Sequence, residues 1–281
     1  MDVDEISTKT VGAHMLLTSF GGILMNLYMF YHFSKLQKTS FYILCASKTV
    51  SNTLMLLTYL LYVGPVNVLY TAIGYSELNS YVNQMNSFGF YLQGPITQLM
   101  ITVNRFLVVW ISAAKTTNSS TKVTVIALAI SWIFAAWLST LAGLPEMINL
   151  LFIAVFSLGV STNVMNVFIA IKLFILSKSS QLLSSNTSQS RKKNRIYLFL
   201  QSCFQDWICV LDIVNNMISG FYCTDRTCIV LVTMGFGVTV YLADGVLMYL
   251  FNCKLNSDSK MSPNKLKNAK TSQNAKKSTV T

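Results

Sequence analysis

Charge is what this sequence has least of. Only 11% of its 281 residues are Asp, Glu, Lys or Arg, while 53% are hydrophobic and the mean hydropathy is +0.50. A water-soluble domain carries about 25% charged residues. The shortage excludes a soluble surface over most of the chain, so lipid is its main solvent. Histidine is nearly absent, with only His14 and His32, and the six cysteines show no metal-site spacing and are too few for a disulfide scaffold. His-Glu-x-x-His and Gly-x-Ser-x-Gly are both missing, so no enzyme, metal or cofactor is expected. The start, Met1-Asp2-Val3-Asp4-Glu5, is acidic where a secretory signal is basic, and the apolar run after it is too long for a signal core. The first helix therefore reads as an uncleaved signal anchor.

What is there is a series of long apolar runs. A hydrocarbon core of about 30 Å needs about 20 residues of helix. Seven runs qualify, at 11–33, 41–63, 86–110, 123–144, 148–176, 196–221 and 228–252. The spacing predicts an all-α, seven-transmembrane bundle over 11–252, preceded by an extracellular segment 1–10 and followed by a basic tail 253–281. Gly143, Pro145, Glu146 and Asn149 mark a tight hairpin between the fourth and fifth helices.

The formal charge of +11 carries no nucleic-acid motif; the basic residues sit between apolar runs, where they set topology and attract anionic lipid. With the N-terminus outside, the inner segments hold Lys35 and Lys38, then Lys115 and Lys122, then Lys178, Arg191, Lys192, Lys193 and Arg195, and the tail adds seven lysines from Lys254 onward. The outer loops hold Glu77, then Glu146, then Asp225 with Arg226. That asymmetry predicts an N-out, C-in topology; the expected location is the plasma membrane. Residues 177–195 and the tail, rich in Ser, Asn and Lys, read as solvated and partly disordered.

Arg105 lies near the cytoplasmic end of the third helix, in Thr102-Val103-Asn104-Arg105-Phe106. Headgroup snorkelling alone accounts for an arginine there. In this architecture its place also resembles the aspartate-arginine-tyrosine motif of G-protein-coupled receptors, with Asn104 where the acid would stand. Ser40-Phe41, Leu44-Cys45-Ala46-Ser47-Lys48 with Asn52, the Gln98-to-Phe106 stretch, Phe204-Gln205-Asp206 with Asp212, and Ala243-Asp244-Gly245 follow in order along the chain. Together they resemble nematode chemoreceptors of serpentine receptor class x. The resemblance implies a chemosensory receptor in a neuronal cilium, with a small-molecule ligand and a heterotrimeric G protein as partners. The loop after the fourth helix is shorter than in that group, and the proline kinks of mainstream rhodopsin-like receptors in helices five to seven are missing, since the four prolines are Pro65, Pro95, Pro145 and Pro263.

On that reading Asn104, Arg105, Arg191, Lys192, Lys193 and Arg195 are the expected G-protein contacts. Four charges fall inside spans, where each is costly and usually paired or functional: Lys48, Asp206, Asp212 and Asp244. Counted along the helices, Lys48 lies about 10 Å and Asp244 about 12 Å above the inner boundary, so with helices two and seven adjacent, as the resemblance implies, they read as an ion pair; the alternative is that Lys48 snorkels inward while Asp244 meets water in the bundle. Arg105 at about 8 Å and Asp206 at about 15 Å are within reach of each other, so Asp206 is the expected resting partner of the arginine. Cys223 and Cys228, in the third outer loop, read either as a local disulfide or as two free thiols. Cys253 is a palmitoylation candidate. The sequons at Asn118 and Asn186 fall on the cytoplasmic side and should be silent. Tyr91, Met85 and Phe221 are candidates to line a ligand pocket. The competing function is an ion or solute transporter or channel using the intramembrane acids. A retinal pigment is excluded, because helix seven has no lysine.

Overall fold

The computed structural model describes residues 3–36, 38–71, 73–84, 89–110, 119–141, 145–179 and 186–252. Seven long helices run through them: α1 (Val3–Lys35), α2 (Ser40–Leu69), α3 (Tyr91–Trp110), α4 (Ser119–Leu141), α5 (Pro145–Ser179), α6 (Asn186–Tyr222) and α7 (Thr227–Asn252). No strand occurs among the described residues. Six of the seven are long and apolar enough to cross a membrane. The other, α3, has 20 residues, about 30 Å of helix, but carries Gln93, Gln98, Asn104 and Arg105. Its polar side chains are enclosed by neighbouring helices: Gln93 and Gln98 are buried, and Arg105 is 8% exposed.

Side-chain placement is inverted relative to a soluble protein. Leu17, Phe20, Ile130, Ile133, Val167, Phe174 and Trp207 face outward, while Asn26, Asn52, Gln98, Gln201, Gln205, Asp206 and Asp244 are buried. Apolar side chains meet lipid at no cost, and polar groups find partners only inside the bundle. α1 packs along α2; α3 packs against α2, α4, α5 and α6; α5 packs against α6. Met29, Phe33, Leu44, Cys45, Ile101 and Met248 form one apolar cluster between α1, α2, α3 and α7, and Met15, Met55, Leu56, Tyr59 and Val238 form another toward the opposite end. Small residues permit the closest approaches. A Cβ on Gly245 would lie 2.9 Å from Asn26 Nδ2, and one on Gly22 would lie 2.8 Å from Leu56 Cδ1.

The helix ends differ from the sequence expectation in several places. α1 begins at Val3 rather than 11, with Asp4 and Glu5 in its first turn, where carboxylates favour a helix N-terminus, and Lys9 pairing with Glu5 at 2.6 Å. The segment 177–195, expected to be solvated coil, is helical through Ser179 and again from Asn186. Extending an existing helix needs no new nucleus, so polar composition alone does not stop it. α5 starts at Pro145, because proline suits the first helical position, and this shortens the expected hairpin. Before α3 a two-turn connector helix, Ser76–Gln84, opens with Glu77 in its first turn. Finally, α2 widens into a π turn at Tyr59–Val63 just before Pro65, and α7 does so at Val230–Gly235.

Candidate functional site

The buried polar side chains converge in the middle of the bundle. Lys48 and Asn52 are four residues apart and so lie on one face of α2, where both are buried. Lys48 Nζ lies 3.0 Å from Asp244 Oδ1 on α7 and donates at 2.5 Å to Gln98 Oε1 on α3. Asp244 accepts two further bonds, from Asn52 Nδ2 at 2.6 Å and from Gln205 Nε2 of α6 at 2.8 Å. Asn52 also donates to Asn26 Oδ1 on α1 at 3.3 Å, and Asn26 donates to the Gly22 carbonyl at 2.9 Å. Gln98 Nε2 donates to Ser202 Oγ on α6 at 3.2 Å. One connected network thus ties five helices together.

Its electrostatics are self-contained. Lys48 is 5% and Asp244 4% exposed, and either charge alone at the centre of a span costs about 3 kcal/mol. Pairing offsets that cost only when the remaining donors and acceptors are also satisfied. Here the ammonium has two oxygen acceptors, and the carboxylate receives three donors. Gly245, next to Asp244, leaves room for the Asn26 amide, so the missing side chain is what lets α1 join the network.

Toward the end of α3, Arg105 follows a different plan. Its guanidinium stacks over the Phe41 ring, 4.7 Å from the centroid, and Nε, Nη1 and Nη2 have no hydrogen-bond partner. The expected contact with Asp206 is not made. Asp206 Oδ2 instead accepts a hydrogen bond from Asn166 Nδ2 of α5, and Oδ1 has no partner. Among the described residues the ion pairs are Lys48–Asp244 and the surface pair Lys9–Glu5. Matching depth along two helices leaves the direction of each side chain open, and Arg105 turns toward α2 rather than α6.

At the other end of the bundle, Cys223 and Cys228 are joined in a disulfide between α6 and α7, with Cα atoms 5.3 Å apart. Asp225 Oδ2 accepts from the Cys228 backbone N–H at 3.0 Å inside that loop, and Thr227 Oγ1 donates to Asp4 Oδ1 of α1 at 3.2 Å. Asn104 is half-buried beside Arg105. Asp212 is buried on α6, ten residues before its end at Tyr222. Arg191, Lys192, Lys193 and Arg195 fall on the first turns of α6, and their side chains lie outside the described ones, as does that of Phe221. Met85 and Cys253 lie outside the described residues. Asn26, Ser202 and Asn166 are site residues that sequence reasoning passed over. The available signal was an uncharged polar group in the middle of an apolar run.

The family model described as Serpentine type 7TM GPCR chemoreceptor Srx matches residues 16–152 and 145–252. The two matched segments overlap at 145–152, the start of α5. The crystal structure of squid rhodopsin superposes with a TM-score of 0.70 at 12% identity, covering 95% of this chain and 88% of that one. At that identity the likeness speaks to the fold, a seven-helix membrane bundle, and α7 here carries no lysine. Among curated proteins none matches this chain. The family match spans all seven helices, and the chain belongs to the serpentine seven-transmembrane chemoreceptor family Srx.

Proposed function

We propose that this multi-pass membrane protein is a receptor that takes a small-molecule cue into its disulfide-bearing half and activates a heterotrimeric G protein at its Arg105 end. In this reading the N-terminus is outside, the tail is cytoplasmic, and the protein resides in the plasma membrane of a sensory cilium. The loop charges support that orientation, since lysine and arginine accumulate on the Arg105 side. A disulfide on the opposite side fits the oxidising face.

The observation that carries the coupling role is the state of Arg105. A buried guanidinium that stacks on Phe41 and has no hydrogen-bond partner among the described residues is poised to take an acceptor from an incoming protein. Arg191, Lys192, Lys193 and Arg195 would extend that surface along the start of α6, and Asn104 would flank it. A ligand that binds one arrangement of α6 better than the other shifts the population by its differential affinity. The test is nucleotide exchange on purified G protein by receptor in lipid nanodiscs, with odorants added. Exchange that rises with cue and disappears in Arg105→Ala at equal receptor amount is the expected result.

Transport is the competing reading, because Asp206 and Asp212 each keep one carboxylate oxygen without a partner. Solute-evoked current in the absence of any G protein would favour it over the receptor.

A further inference from the structure

The three acids inside the bundle are not equivalent. Asp244 is paired with Lys48. Asp206 is hydrogen-bonded by Asn166 and lies in the field of both Lys48 and Arg105. Among the described residues Asp212 has neither kind of support from a cation. It is 5% exposed, the groups beside its carboxyl are the neutral Tyr91 and Asn216, with Asn216 Nδ2 donating at 2.9 Å to the Asp212 backbone carbonyl, and Oδ1 has no hydrogen-bond partner among the described residues. An ionised carboxylate in such a setting is expensive unless a positive charge joins it.

What surrounds Asp212 is aromatic. Tyr91 of α3 faces its carboxyl, and Tyr241 of α7 and Tyr59 of α2 stand close by. Tyr59, Tyr91 and Tyr241 pack together in the apolar cluster at this end of the bundle. Gly237 of α7 completes the wall: a Cβ there would lie 3.3 Å from the Tyr59 hydroxyl and 3.8 Å from Asp212 Oδ1. Asp212 and Tyr59 are each ten residues from the ends of their helices at the disulfide side, about 15 Å in. Tyrosine faces attract cations, and a carboxylate at the base of several such rings is a recognition site for organic ammonium.

We propose that Asp212, walled by Tyr59, Tyr91 and Tyr241, is the ligand anchor of this protein and that its cue is a small cationic amine. The proposal deepens the receptor reading and rests on it. The ammonium replaces the missing counter-charge at Oδ1, while the rings bury its alkyl or aryl part. The carboxylate sits on α6, so occupancy acts directly on the helix that carries both Gln205 and Asp206.

The experiment uses full-length receptor in nanodiscs and a panel of small primary, secondary and quaternary amines that includes tyramine and choline. Each amine is matched by its neutral alcohol isostere. Thermal midpoint against concentration gives apparent affinity. At least one amine should raise the midpoint with its isostere inert; Asp212→Asn should weaken it about 10- to 100-fold, and Asp212→Glu less. Asp212→Asn alters a buried group, so a second variant is needed: Gly237→Val keeps the carboxylate, crowds the wall between the Tyr59 hydroxyl and Oδ1, and should weaken the same amine. Three results overturn the proposal: no amine stabilises the protein at millimolar concentration, the isosteres do as well as the amines, or Asp212→Asn and Gly237→Val both bind like wild type. Nucleotide exchange in the same samples separates the two claims. Asp212-dependent amine stabilisation without exchange on any G protein keeps the site and sinks the receptor; exchange driven only by neutral or anionic cues does the reverse.

Discussion

Gln205 and Asp206 are consecutive on α6 and reach to different neighbours, Gln205 to Asp244 of α7 at 2.8 Å and Asp206 to Asn166 of α5. α6 is therefore clamped to both neighbours at one level. Any movement of α6 away from α3 must break or carry along these bonds. A hydrogen bond to a charged group contributes about 1.5–3 kcal/mol. Gln205→Leu, which removes the α7 clamp, should raise basal nucleotide exchange by about 10-fold or more in the absence of cue. Basal exchange equal to wild type at matched receptor amount would show that α6 is held elsewhere.

The Lys48–Asp244 pair should behave as a unit. Lys48→Met and Asp244→Asn each leave one buried charge uncompensated, at a cost of about 3–5 kcal/mol, and should lower both surface expression and thermal midpoint. The double variant should lose less than the sum of the singles, and the swap Lys48→Asp with Asp244→Lys should recover part of the loss. Strictly additive losses in a double-mutant cycle would mean that the two residues act independently.

Arg105 offers two separable effects. Arg105→Ala should abolish cue-evoked exchange while leaving cue-induced thermal stabilisation in place. Phe41→Leu removes only the ring beneath the guanidinium, worth about 0.5–2 kcal/mol, and should lower stability while coupling survives. Intact signalling in Arg105→Ala at equal surface expression would sink the coupling assignment.

The disulfide closes a loop of few residues, so its removal should cost about 2 kcal/mol and act locally. Cys223→Ser, Cys228→Ser and the double variant should be equally destabilised, since each breaks the same bond. Intact-mass analysis of non-reduced protein checks the premise; two free thiols in surface-purified receptor would remove it.

Orientation is testable at introduced cysteines in an otherwise cysteine-free background. Ser76→Cys should react with an impermeant maleimide on intact cells, and Ser185→Cys only after permeabilisation. The opposite pattern would falsify the proposed topology.

Much of this architecture was legible because two rulers are rigid. The bilayer fixes how many apolar residues make a span, and the α-helix fixes the rise per residue. Those rulers put Lys48 level with Asp244, and the two are in contact at 3.0 Å. They also put Arg105 near Asp206, and those two are not in contact, because height is one coordinate and the direction a side chain faces is another. Asn26 and Asn166 escaped notice for an energetic reason. An uncharged amide in an apolar run costs far less than a charge, so it does not announce a partner. The helix through 186–195 escaped because its composition resembles coil while its position continues α6.

The π turn at Tyr59–Val63 has a consequence for the gene. A π turn holds one residue more than an α-helix needs, with the surplus absorbed locally, so the stretches before and after it keep their facing. Loss of one codon there, for instance that of lipid-facing Leu61, should convert the wide turn into regular helix and leave Lys48 and Asn67 aimed as before. The same loss at Thr49 or Ser51 would rotate everything downstream by about 100° relative to Lys48, pulling Asn52 away from Asp244. Single-residue deletions scanned along α2 should therefore be tolerated in one narrow window and destructive on its inner side.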